Sequence, residues 1–262
     1  MGNLSKTKRI IAVIQQKGGV SKTTSTYNIA ASAVALGKSV LIADIDPQSN
    51  ESKTLGVENE NAIKKIFRKE PVTPVKTLCK NIDLLPADKS LSSLIPELIS
   101  DIDLQYHLRE YMEKLTDYDL ILIDTPPTAG CFISVAGITA DYFIVPISSS
   151  YYTLQGTQDV MESMQKIRRR LNPVLEFLGA FISMYDKRVT VDREIASEAR
   201  EYFGAKLFET YICKTVKVEE SVIAKKPVIE LFPDSEIASQ YMSLTKEILM
   251  RLPEASSEKS NN

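Results

Sequence analysis

The stretch Ala12–Asn28, AVIQQKGGVSKTTSTYN, constrains the fold more than any other part of this chain. A short apolar run ends in a loop with two glycines and two lysines, and a helix-compatible run, Lys22 to Leu36, follows, with Gly37 as its stop. Backbone N–H groups at a helix N-terminus are unpaired donors at the positive end of a dipole, so a strand, loop and helix in this order make a phosphate cradle. Gly18 and Gly19 let the backbone come close to the phosphates. Lys22 is placed to reach the β- and γ-phosphates and the Thr23 hydroxyl to ligate Mg²⁺. The loop also departs from the usual spacing G-x-x-x-x-G-K-[ST]. Gln16 and Ser21 stand where glycines are usual, and Lys17 is an added cation.

Apolar runs recur along the chain at 10–14, 39–44, 81–87, 119–124, 141–147 and 176–185. Several are nearly continuous in apolar residues, as in strands buried on both faces of a parallel sheet. Helical patterns lie between them. Val160, Met164, Ile167 and Leu171 form one stripe, closed by Asn172-Pro173, and Ile237, Tyr241, Leu244 and Ile248 form another; both read as core packing. The alternation predicts a single α/β domain over residues 1–252, a mostly parallel twisted sheet with helices on both faces. The polar segment 253–262 reads as a disordered tail.

Composition excludes several classes. At 262 residues the chain buries enough surface to need no disulfide or structural metal. Cys79, Cys131 and Cys213 form no C-x-x-C pair, which suits a reducing compartment and argues against a zinc site. The single histidine, His107, leaves no histidine triad or histidine metal cluster and reads as a surface or packing residue. No apolar run reaches membrane-spanning length, and the first residues lack a signal core. The net charge of −2 gives no global attraction to nucleic acid, so any DNA contact requires a local basic face.

Two carboxylate sites complete the phosphate-binding reading. LIADIDPQ puts Asp44 and Asp46 at the end of one strand, and LILIDTPP puts Asp124 at the end of another. Open α/β sheets bind ligands at the carboxyl ends of their strands, and an aspartate there holds Mg²⁺ directly or through water.

With these residues in place, KGGVSKTT, IADIDPQSN and YDLILIDTPPT resemble the deviant-Walker ATPases of the ParA/MinD family. The likeness continues through SSYYTLQGTQDV, RRRLNP, ISMYDKRVTVDREI and the run from Lys214 to Ile248, which resemble the small Soj/ParA partition ATPases, and it spans about residues 9 to 250. The extension before the first strand is short, like that of members without an N-terminal DNA-binding domain. The resemblance implies a P-loop fold, ATP and Mg²⁺ as cofactors, and slow, partner-stimulated hydrolysis. It implies that Lys17 crosses a dimer interface to the phosphates held by the other subunit. Two facing ATP molecules repel, and each needs cations from the opposite chain. By position, the resemblance makes Asp46 the residue that orients the attacking water, with Lys17 and Lys22 as the catalytic cations. Thr23 is expected as a direct Mg²⁺ ligand, with Asp124 and Asp46 acting through water and Asp44 as a further candidate. Nucleotide contacts are expected from Lys17, Gly18, Gly19, Val20, Ser21, Lys22, Thr23 and Thr24, and from Met184, Cys213 and Lys214 on the base side.

Nonspecific DNA binding by the ATP dimer is expected to use Arg188, Lys214 and Lys217. Where the family often reads Ile-Pro-Arg-Asn-Val-Arg, this chain reads Ile212-Cys213-Lys214-Thr215-Val216-Lys217. Charge is kept there, but not arginine's bidentate grip. Arg168, Arg169 and Arg170 read as a solvated helix end. Further implied partners are a second copy of the chain and a centromere-binding, ParB-type protein, with no membrane partner, on the nucleoid in the cytoplasm. A membrane-positioning relative would need a basic amphipathic C-terminal helix, a tyrosine kinase a C-terminal tyrosine cluster, and an iron–sulfur carrier paired cysteines; none is read here. A small-molecule ligase with a similar loop is not excluded by the sequence.

Overall fold

Alternation along each central strand divides the apolar residues between two faces. Ile11, Val13, Val40, Ile42, Leu120 and Leu122 join one core cluster, whereas Ile10, Ala12, Leu41, Ala43, Ile121 and Ile123 join the other. The structure is a computed structural model that describes residues 8–57, 60–128, 130–148 and 151–253, the side chains of 151–155 excepted. The tail from 254 onward lies outside the described residues, as do Ser149 and Ser150 of the SSYYTLQG segment. The elements in chain order are β1 (Arg9–Val13), α1 (Lys22–Ala35), β2 (Val40–Asp44), α2 (Asn50–Thr54), α3 (Ala62–Phe67), β3 (Val75–Lys76), β4 (Ile82–Leu85), α4 (Ile95–Ser100), α5 (Ile102–Glu113) and β5 (Leu120–Asp124). They continue with α6 (Cys131–Thr139), β6 (Tyr142–Ser148), α7 (Tyr151–Arg170), β7 (Glu176–Ser183), α8 (Thr190–Phe203), α9 (Val216–Ile223), α10 (Val228–Leu231) and α11 (Glu236–Arg251).

The seven strands order as β3-β4-β2-β5-β1-β6-β7, parallel throughout except for the short β3 edge. Helices cover both faces. Tyr27, Ile29, Ala30 and Ala33 of α1 pack with Ile237, Tyr241, Leu244 and Ile248 of α11 on one side. Residues of α3, α5, α6, α7 and α8 pack on the other. The expected α/β architecture is therefore what forms, and both periodic stripes pack into the core, with Leu171 alone of their residues only partly buried. The helix after the loop ends at Ala35, and Gly37 takes φ +82°, the left-handed conformation that a glycine stop supplies. The β3 edge strand is too short and polar to show a sequence pattern.

Two features of this frame position the site. After β1 the chain crosses to β2, and after β5 it crosses to β6, so the connections diverge at the β5–β1 pair and open a crevice at their carboxyl ends. At the opposite edge, Arg251 closes α11 onto β7. Its guanidinium lies 3.9 Å from the Phe208 ring centroid and donates to the carbonyls of Leu178, Lys206 and Leu207. A Cβ on Gly179 would come within 2.5 Å of Arg251 Nη1 and 2.6 Å of the Lys206 carbonyl, so only glycine fits under this clamp.

Candidate functional site

The loop between β1 and α1 is held from three sides. Gln15 is fully buried; its amide donates to the Pro146 carbonyl (3.3 Å) and Thr157 Oγ1 (3.0 Å), and its carbonyl accepts from Gln16 N (2.9 Å). Thr125 Oγ1 donates to the Val13 carbonyl at 2.7 Å and Ser183 Oγ to the Val20 carbonyl at 3.2 Å. These contacts come from β6, α7, β5 and β7, so the loop geometry is imposed by the sheet. None was legible in sequence, because a lone Gln, Thr or Ser carries no period. Ser21 sits at φ +63° and ψ +28° as the N-cap of α1, with no side-chain cap bond. The residue that replaces a glycine therefore occupies the left-handed conformation that glycine favours. Gly19 is also left-handed, at φ +74°.

Pleat parity places the acids. Asp44 and Asp124 are register partners on the adjacent strands β2 and β5, and the alternation set by Ile42 and Leu122 turns both toward α1. Thr23 Oγ1 donates to Asp124 Oδ2 at 2.7 Å, while Asp124 Oδ1 is buried without a hydrogen-bond partner. Burial, then the charge of Asp44, pushes the Asp124 carboxyl above its ordinary range, against the Thr23 hydrogen bond. Lys22 is buried, and its ammonium donates to the Lys17 carbonyl at 3.2 Å. Burial pulls its pKa down, opposed by Asp124 and Asp46. A hydroxyl, a carboxylate with an orphaned oxygen and a nearby ammonium are a donor set suited to hard cations and phosphate oxygens. The residues present fit a magnesium–nucleotide pair.

Asp44 is committed to the loop. Its oxygens accept from Asp46 N (3.1 Å), Ser52 N (2.9 Å) and Ser52 Oγ (2.6 Å), so it organises the turn into α2 rather than offering a free oxygen to a metal. Burial raises its pKa to about 6 against these hydrogen bonds. Asp46 Oδ1 accepts from Gln48 N at 2.8 Å, and the side chain stands on the wall of the cavity.

That cavity, about 650 Å³, brings together Gly18, Gly19, Val20, Ser21, Lys22, Thr23, Thr24 and Asp46 with Met184, Cys213 and Lys214 from the far side. Of the expected nucleotide contacts, Lys17 does not line it. The loop on the far side of the cavity is pinned by α11: Cys213 N donates to Gln240 Oε1 at 2.8 Å, a bond that proline at this position could not make. Thr215 caps α9 by accepting from Lys217 N at 3.4 Å, a task asparagine performs equally well. Arg188 is exposed and ion-paired with Asp186 at 2.7 Å; Lys214 is exposed; Lys217 lies with its ammonium 5.5 Å from the Phe232 ring centroid. Arg168, Arg169 and Arg170 form the exposed last turn of α7. Among the described residues, no group of acids, histidines and cysteines stands ready to hold a metal by itself, and no helix is long and apolar enough to cross a membrane.

A strand-end phosphate loop, a buried lysine and a threonine–aspartate pair at the switch point of a parallel sheet define a P-loop nucleotide-binding domain. Residues 8–177 match the AAA domain family. The chromosome-partitioning ATPase Soj of Thermus thermophilus is 34% identical over 247 residues, covering 94% of this chain and 98% of that protein. The chromosome partitioning protein ParA of Caulobacter vibrioides is 32% identical over 252 residues, covering 93% and 94%. Among solved structures, cobyrinic acid a,c-diamide synthase of Mycobacterium smegmatis, with bound ADP and magnesium, superposes with a TM-score of 0.80 at 25% identity, covering 92% of this chain and 94% of that one. The chain belongs to the Soj/ParA family of partitioning ATPases.

Proposed function

We propose that this chain hydrolyses ATP as a magnesium-dependent DNA-partition ATPase, working as an ATP-bound dimer on nonspecific DNA. The observation that carries the reading is the cavity in which the phosphate loop, Asp46 and the base-side residues Met184, Cys213 and Lys214 meet. Lys22 and the amides at the start of α1 hold the phosphates. Thr23 would hold Mg²⁺ directly, with Asp124 and Asp46 acting through water. A bound Mg²⁺ would supply charge neutralisation during transfer of the terminal phosphoryl group to water. Asp46 orients that water, and positioning with charge stabilisation supplies most of the rate.

Lys17 lies off the cavity wall and is assigned to the phosphates of a facing subunit, so ATP is part of the dimer contact. Dimerisation places two sets of Arg188, Lys214 and Lys217 on one surface, which gives a chain of net charge −2 a local cationic face. A centromere-binding, ParB-type partner stimulates hydrolysis and releases the dimer from DNA, and the protein works on the nucleoid in the cytoplasm. The test is DNA binding with ATP, with ADP and without nucleotide, across a salt series. Binding should need ATP, ignore base sequence and weaken steeply with salt. Equal binding without nucleotide would refute the coupling.

A further inference from the structure

Glu51 is the most costly side chain near the site. It lies on α2, one turn beyond Asp46, and is fully buried with neither carboxyl oxygen hydrogen-bonded. Burial, then the charges of Asp124 and Asp44, holds its carboxyl well above the ordinary range. Asp124 Oδ1 is likewise buried and unpartnered. Three carboxyl oxygens, two on Glu51 and one on Asp124, are therefore buried without hydrogen-bond partners; of the residues flanking Glu51, Asn50 lines the cavity and Ser52 bonds Asp44, the register partner of Asp124. An apolar side chain of the same volume would fill this space at no such cost. Nothing in the packing of α2 requires an acid here.

We propose that Glu51 is an additional acid of the magnesium site, acting through water on the ion held by Thr23 and Asp124. The inference rests on the ATPase reading above. Bound Mg²⁺ keeps several of its waters, and each water is a donor in need of an acceptor. Among the described residues, Asp124 Oδ1 and the two Glu51 oxygens are the buried carboxyl oxygens without a hydrogen-bond partner. Asp44 is not available for the task, because Ser52 and Asp46 N already occupy its oxygens. Glu51 is a positioning residue in this scheme: it orients the hydrated ion and touches neither phosphate nor the attacking water.

The experiment measures the affinity of a fluorescent ATP analogue with Mg²⁺ and with EDTA, in the wild type and in Glu51→Gln and Glu51→Met. The readout is the ratio of the two dissociation constants. Loss of an outer-sphere partner commonly weakens metal binding about 10- to 100-fold, and the ratio should shrink by about tenfold in both variants. Affinity in EDTA should be unchanged or improved. Thermal unfolding without nucleotide should show both variants folded, with a midpoint above that of the wild type. A raised midpoint with an unchanged ratio would overturn the proposal and leave Glu51 a packing residue. Failure of the wild-type chain to bind nucleotide at all would instead overturn the ATPase reading on which the proposal stands.

Discussion

Replacing Ser21 by glycine should make this protein more stable, although the substitution removes atoms and adds no contact. Ser21 holds φ +63° and ψ +28°. An L-residue pays about 1–2 kcal/mol for that conformation. Glycine adopts it freely but gives back about 0.4–1 kcal/mol through the greater freedom of the unfolded chain. The serine hydroxyl makes no cap bond, and the Ser21 carbonyl, which accepts from Ser25 N at 2.8 Å, is kept in the glycine variant. The balance is a gain of about 0.5–1 kcal/mol, or about 1–3 °C in melting temperature for a chain of this size. The assay is thermal unfolding followed by circular dichroism without nucleotide. Gly19→Ala is the paired control. A Cβ there meets nothing within 4 Å, yet φ is +74°, so that variant should lose about 1 kcal/mol through the backbone alone. An unchanged or lower midpoint in Ser21→Gly, or a neutral Gly19→Ala, would refute the claim that backbone strain is stored in this loop.

Lys22→Ala should weaken ATP binding about a hundredfold, because the phosphates are deprived of a buried, charged hydrogen-bond donor; Lys17→Ala should leave that affinity nearly intact but abolish the ATP-dependent rise in mass seen by light scattering. Asp46→Ala should bind ATP normally, stay on DNA longer and lose about a hundredfold in partner-stimulated turnover, measured as phosphate release. Substituting Lys214 and Lys217 together should weaken binding equally for unrelated DNA sequences. It should also flatten the slope of log K against log salt by about 0.9 for each phosphate no longer neutralised, with the dimer still forming. Wild-type DNA affinity in that double variant would move the DNA face to Arg168–Arg170.

The parts of this molecule that repeat were legible in sequence. Strands β1, β2 and β5 are unbroken apolar runs ending in or near Asp44 and Asp124, and the α11 stripe from Ile237 to Ile248 is periodic, so the sheet and its ligand-binding end follow from pattern alone. The cavity lining from Gly18 to Thr24 follows from one motif. The remainder depended on single residues whose meaning is tertiary. Gln15 reads as polar loop sequence and is fully buried. Glu51 sits in Asn50-Glu51-Ser52-Lys53, a polar run with no apolar period, and only the tertiary structure shows that it is enclosed. Asp44 and Asp46 look equivalent two residues apart, but hydrogen bonds from Ser52 bind the first into the loop and leave the second on the cavity wall. The strain at Ser21 is a dihedral angle, which composition does not carry.

The clamp of Arg251 on Phe208 has a mechanical meaning. Gln240, near the other end of α11, holds the backbone of Cys213 on the cavity wall. About eleven residues separate the two anchors, a span of about 16 Å of helix. The helix is thus a strut bolted at both ends, one end to a loop that walls the cavity and the other to the outermost strand of the sheet. Displacing the loop means bending the strut or drawing the guanidinium off its ring and three carbonyls. The far rim of the sheet is therefore geared to the nucleotide pocket through one rigid member.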